Sequence, residues 1–299
     1  MAIKYQVNRE AATTFLKELL KKHLGATEMD WLENKLTELN KYFLERSYFM
    51  AFCGAPRFVG KGSLEITRED LIKADHLRKG FDPQGWTKEL MVRVLLLLQL
   101  PSEDSAYYHR TLKKLFETST MNELMAMYAA LPLMADPEGL SMRCAEGLRT
   151  NMVTVFDAIA LQNPYPFDYL EEDAWNQMFL KAAFLDRPLY MVYGVDEKAN
   201  ADLTRIISDY AHERWAASRV VSPELWRPVA KFVNDQLIED LKRLFADENK
   251  LNVQAAALVC HYSDHSGAKA LLEDSVEGKK AIADGLDWEL LGKAWWALK

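Results

Sequence analysis

The sequence predicts an all-α fold, and three observations carry that prediction. Apolar residues recur at three- and four-residue spacing along most of the chain. Helix-capping residues stand at the starts of those stretches. Period-two alternation, the mark of a half-buried strand, is nearly absent. Such helices would pack as pairs, in an irregular solenoid of the HEAT or armadillo kind or in a helical bundle. Weak internal similarity fits pairing: Ala129-Ala130-Leu131-Pro132 resembles Ala182-Ala183-Phe184-Leu185, and Ala255-Ala256-Ala257 begins a third such stretch at unequal spacing.

Taken in order, Asn8 precedes a periodic run over 9–24, with Gly25 as its expected terminator. Thr27 stands before a stripe of Trp31, Leu32, Leu36, Leu39 and Phe43. Thr67 with Asp70, and Thr87 before Leu90, mark two more starts, and Thr120 with Glu123 has capping-box spacing. The apolar run 91–100 reads as a fully buried helix. Pro101-Ser102 opens a helix carrying Tyr108, Leu112 and Leu115. Further helices are expected over about 140–161, 171–195, 199–218, 223–246 and from 251 to the C-terminus. The stretch 57–67, among Gly54, Gly60 and Gly62, reads instead as an irregular excursion or a short hairpin. Asn163-Pro164-Tyr165-Pro166 is a rigid turn. The chain is expected to form a single helical domain over 1–299. A subdivision near 54–66 would separate an N-terminal part from 67–299.

Composition narrows the function. The chain has 299 residues, of which 49% are hydrophobic, enough for a sizeable core. A net charge of −7 argues against a nucleic-acid binder. The run 91–100 is interrupted by Arg93 and is far shorter than the roughly 20 residues a membrane span needs, so no membrane insertion is expected. The first ten residues carry no apolar leader, which points to a cytoplasmic protein. Cys53, Cys144 and Cys260 are odd in number and far apart, so they are expected to be reduced, small core residues. No phosphate loop, dinucleotide fingerprint or nucleophile elbow is present, and no cofactor is predicted.

One part of the chain resembles a known family. The strings Arg149-Thr150-Asn151-Met152, Val155-Phe156-Asp157-Ala158-Ile159-Ala160 and Asn163-Pro164-Tyr165-Pro166 are similar to those of the EboA family. So are Trp175-Asn176-Gln177-Met178, Arg187-Pro188-Leu189, Asp209-Tyr210-Ala211-His212-Glu213-Arg214-Trp215 and Pro223-Glu224-Leu225-Trp226-Arg227-Pro228. The resemblance covers roughly 143–232, with looser similarity on either side. It implies membership of an ebo cluster, alongside a UbiA-like prenyltransferase, TIM-barrel hydrolase-like proteins and a sugar-phosphate-cyclase-like enzyme. Such clusters are linked to making or exporting secondary metabolites and their precursors. The resemblance brings no catalytic residues with it.

Polar residues on apolar helix faces supply the candidate site. With about 100° per residue, Arg214 falls on the arc of Leu203, Ile206, Ile207, Tyr210 and Ala211. Asn176 lies between Phe179 and Leu180 on its wheel, Arg149 between Phe156 and Ala160, and Asn151 beside Cys144 and Val155. These four would either grip a polar or anionic ligand or form a buried network tying helices together. His212 lies on the opposite, polar side, and Asp209, His212 and Glu213 have the spacing of shared metal ligands on one helix, or of a solvated face. His261 and His265 are four apart, as two helical metal ligands would be, but Ser263-Asp264-His265-Ser266-Gly267 looks like a turn that would break that geometry.

Two functions follow. One is a non-enzymatic accessory protein that binds other ebo-cluster proteins or a small polar metabolite. The other is an enzyme of unrecognised type, acting on a small polar or anionic metabolite through Arg149, Asn176 and Arg214. His212 or His261 would then be its acid or base.

Overall fold

The computed structural model describes residues 7–299. Among the described residues no strand forms, and extended pairing is limited to one isolated antiparallel bridge between Ser63 and Thr87. The chain divides into two compact units, one ending at Leu170 and the other beginning at Glu171.

The first unit holds α1 (Arg9–His23), α2 (Ala26–Lys41), α3 (Glu45–Gly54), α4 (Pro56–Val59), α5 (Arg68–Leu77), α6 (Lys88–Leu97), α7 (Ser105–Thr118), α8 (Met121–Ala129), α9 (Ser141–Gly147), α10 (Val153–Ala160) and α11 (Tyr165–Tyr169). The caps stand where local chemistry puts them. The Asn8, Thr67 and Thr87 side chains accept from the Ala11, Asp70 and Leu90 backbone N–H groups, and Thr120 with Glu123 closes a capping box. Gly25 does not terminate α1 in a left-handed conformation. Its φ is −70°, and it caps α2 with Glu28 instead, so that helix starts before Thr27. α6 is buried from Met91 through Leu97, and α8 packs against both α6 and α10.

The glycine-bearing stretch builds no hairpin. α4 stops at Gly60 in the left-handed region, φ +66°, and an extended chain leads to the Ser63–Thr87 bridge. This stretch lies inside the first unit. The expected helix over 140–161 is two short helices. The Arg149 and Thr150 N–H groups bond three residues back, and the Thr150 hydroxyl accepts from the Met152 N–H, so side chain and backbone together end the α-helical ladder.

The second unit holds α12 (Glu172–Phe184), α13 (Val195–Lys198), α14 (Ala201–Ala216), α15 (Asp235–Phe245), α16 (Lys250–Tyr262), α17 (Ser266–Asp274), α18 (Val276–Ala283) and α19 (Trp288–Trp296). A 3₁₀ segment, Pro223–Phe232, runs between α14 and α15, where Pro223 and Pro228 prevent a regular α-helix. α16 is the hub. Its Val253 and the run Ala255 to Cys260 are buried against this 3₁₀ segment, α15, α17, α18 and α19. Cys144 and Cys260 are core residues as expected, but Cys53 is exposed. Among the described residues no helix is long and apolar enough to cross a membrane.

Candidate functional site

The second unit places a carboxylate where its helix calls for an apolar residue. In α15, Leu237, Leu241 and Leu244 form the buried stripe, and Asp240 falls within it, 5% exposed. A buried carboxylate is tolerated only when its oxygens are hydrogen-bonded. Both are. The Ser208 hydroxyl donates to Oδ2 at 3.0 Å, and His212 Nε2 meets Oδ1 at 2.6 Å. Ser208 and His212 are one turn apart on α14, so one helix face reaches both oxygens. The His212 side chain remains 44% exposed, tilted against Trp215, which stacks on Trp226 and carries the Arg243 guanidinium 4.2 Å over its ring.

Ser208 also walls a cavity of about 230 Å³ between α14 and the start of α15. Thr204, Arg205 and Asp209 line it from α14, Phe232 and Val233 from the connection, and Asn234, Gln236 and Leu237 from the other side. At about 30 Å³ per water, the space suits a ligand displacing roughly eight waters, smaller than a drug-sized molecule.

The order of the three side chains limits their chemistry. In a serine–histidine–carboxylate triad the histidine takes the serine's proton and the carboxylate behind it orients the histidine. Here the carboxylate stands in the middle: Ser208 donates to Asp240, and His212 meets the other oxygen of Asp240. The arrangement holds a hydroxyl in place and links it to a partly exposed histidine.

A second buried acid lies in the same unit. Glu224 is 3% exposed. Its Oε1 accepts the Tyr190 N–H at 2.6 Å, while Oε2 is buried without a partner among the described residues. Burial raises the Glu224 carboxyl to about 7, opposed by the backbone N–H groups of Tyr190 and Leu189. α19 lies so close that a Cβ on Gly292 would come within 2.6 Å of Tyr190 and 2.7 Å of Glu224 Oε1.

The residues singled out from the sequence are not one constellation. Arg149 and Asn151 are exposed in the link between α9 and α10, and because that helix is broken neither projects into an apolar arc. Asn176 is buried, 2% exposed, and exchanges amide hydrogen bonds of 3.2 and 2.9 Å with Asn200, the cap of α14. Arg214 sits in the last turn of α14, and its guanidinium turns out to the Val220 carbonyl at 2.9 and 2.6 Å rather than into the core. His212 faces a neighbouring helix rather than solvent alone, whereas Asp209 pairs with Arg205 on the α14 surface. His261 is exposed at the end of α16, and His265 caps the next helix, α17, so the two do not share a helix face. Among the described residues no three His, Cys, Asp or Glu side chains group as a metal site would.

Asp240 and Ser208 were legible by the rule that selected Asn176. Asp240 interrupts the stripe Leu237, Leu241, Leu244, and Ser208 lies among Leu203, Thr204, Ile207 and Ala211 on the buried side of α14. Glu224 stands within a family-like string, but a 3₁₀ segment offers no 3.6-residue period to mark it as an intruder.

Fold and site together define an all-helical protein with a small polar cavity backed by a buried carboxylate. The family model described as metabolite traffic protein EboA matches residues 12–230, about three quarters of the chain, and the chain belongs to the EboA family. The match takes in most of the first unit, where the resemblance before about residue 143 is looser, and it includes Ser208, His212 and Glu224 but not Asp240. No curated protein and no solved structure matches the chain.

Proposed function

We propose that the protein is a non-enzymatic accessory factor that holds a small polar metabolite in the cavity between α14 and α15. The observation that carries this reading is that Ser208 both walls the cavity and is fixed from behind by Asp240. A rigid, oriented hydroxyl in a small cavity suits recognition. A middle carboxylate departs from the serine–histidine–carboxylate order of a triad. The family's description as a metabolite traffic protein supports the same reading. The finer role is handling a metabolite or precursor for an ebo-type secondary-metabolite pathway, in the cytoplasm and beside other ebo-cluster proteins.

Native mass spectrometry of freshly purified protein, beside its denatured mass, tests this. The expected result is extra mass lost on denaturation and absent from Ala201→Leu, a substitution that enlarges an exposed residue lining the cavity. Retained mass that Ala201→Leu does not remove would place the ligand elsewhere. Turnover abolished by His212→Ala or by His261→Ala would instead make the protein an enzyme.

A further inference from the structure

The cavity's hydroxyl groups have a direction. The Thr204 hydroxyl donates to the Asn200 carbonyl at 2.9 Å, and the Ser208 hydroxyl donates to Asp240 Oδ2 at 3.0 Å. Both side chains are at least nine-tenths buried, at 4% and 5% exposure, and both line the cavity. A hydroxyl has one hydrogen and two lone pairs. With each hydrogen directed away into the protein, what Thr204 and Ser208 offer a ligand is lone pairs.

The surrounding charge has the same preference. Turning the Ser208 hydrogen towards an anion would strip Asp240 Oδ2 of its partner, and leaving a buried carboxylate oxygen unsatisfied is costly. The Asp240 carboxylate directly behind Ser208 would also repel a negative ligand. Among the described residues that line the wall, the one guanidinium, Arg205, is already paired with Asp209 at 3.3 Å, so these two side chains add no net charge.

Resting on the cavity reading above, we infer that the α14–α15 cavity selects a small neutral polyol, whose hydroxyl hydrogens bond to the inward-fixed oxygens of Thr204 and Ser208, and rejects phosphate and carboxylate anions. Phe232, Val233 and Leu237 would cover the carbon backbone of such a ligand.

Methyl-resolved NMR of the full chain tests this with two probes, xylitol and inorganic phosphate, titrated separately. Xylitol is expected to shift the Val233 and Leu237 methyl signals saturably, and phosphate is expected to leave them in place. Ser208→Ala should weaken xylitol binding about tenfold, the effect of losing one hydrogen bond that also fixes orientation. Because Ser208→Ala also leaves Asp240 short of a donor, Thr204→Val is the second variant. It keeps the side-chain shape, and the Asn200 carbonyl retains the Thr204 N–H. It should weaken xylitol severalfold without unfolding. Phosphate shifting these methyls in place of xylitol, or neither probe shifting them, overturns the polyol assignment. The cavity reading itself stands or falls separately, on whether Ala201→Leu removes the mass retained in native spectra.

Discussion

Arg93 in the first unit and Asp240 in the second are both charged groups buried in a leucine-rich helix face, yet their surroundings differ in kind. Arg93 is closed off. Its Nε donates to the Phe52 carbonyl at 3.1 Å, Nη1 to Glu89 at 3.3 Å, and Nη2 lies 3.9 Å from Glu123. Glu123 in turn accepts the Thr120 N–H and hydroxyl. Burial alone would raise the Glu123 carboxyl, but those Thr120 bonds, with Cys53 and Arg93, hold it below its usual range. Asp240 is open. One oxygen faces a hydroxyl that walls a cavity, and the other faces a histidine 44% exposed. A polar group that stitches three helices together uses its bonding capacity internally. Asp240 is also bonded at both oxygens, but its partners, Ser208 and His212, themselves reach a cavity and solvent.

The largest effect should come from breaking the closed network. Arg93→Met removes the only cation reaching Glu89 and Glu123 among the ion pairs seen there, and leaves two buried carboxylates behind. Losing one partner of a buried pair costs about 3–5 kcal/mol, read as a lower urea midpoint for the first unit. If Asp240→Asn cost as much, the contrast between a closed network and a carboxylate set behind a cavity wall would collapse. Asp240→Asn keeps shape and one acceptor for Ser208, so its expected cost is about 1–3 kcal/mol.

Glu224 sharpens the comparison from a third direction, because it is buried and only half satisfied. Its folded value of about 7 lies above the ordinary 4.5, so the folded state binds this proton more tightly than the unfolded chain. That stabilisation is complete below about pH 4.5 and is lost as pH rises through 7. Glu224→Gln supplies a neutral isostere whose carbonyl can still accept from Tyr190. The variant should flatten this dependence and be more stable than the parent at pH 8 by about 3 kcal/mol, with little difference at pH 4.5. Parallel thermal-melt profiles from pH 4.5 to 8 would remove Glu224 as a titrating group.

The caps were legible because capping is local. Asn8, Thr67 and Thr87 each accept from a backbone N–H three residues on, Thr120 donates its N–H and hydroxyl to Glu123 at the same spacing, and nothing distant has to be known. The burial of α6 was legible from its unbroken apolar run, Arg93 apart. The site was legible only in fragments. His212 was visible, but its partner lies 28 residues on, in another helix, and pairing at that distance is set by packing rather than by periodicity. Asn176 was rightly placed in an apolar face, yet only the structure supplies Asn200 as its partner. Arg214 shows the limit of a helical wheel. The wheel gives the direction of Cβ, but a long side chain in a last turn can carry its charge past the helix end to a carbonyl such as that of Val220.

Arg149 gives the smallest expected effect and the plainest test of that limit. On a continuous helix over 140–161 it would sit between Phe156 and Ala160, and its loss would strand buried partners. In the structure the ladder ends near Gly147, where a Cβ would come within 2.4 Å of the Tyr128 ring, and Arg149 and Asn151 stand in the exposed link that follows. Surface substitutions away from caps and ion pairs scarcely alter stability. Arg149→Met and Asn151→Ala should therefore leave the thermal midpoint and any cavity-bound mass unchanged, whereas Arg214→Met should lower the midpoint slightly by freeing the Val220 carbonyl. A marked loss of stability in Arg149→Met would mean that the link folds back and buries the guanidinium. The family-like string Arg149-Thr150-Asn151-Met152 would then be part of the core rather than of the surface.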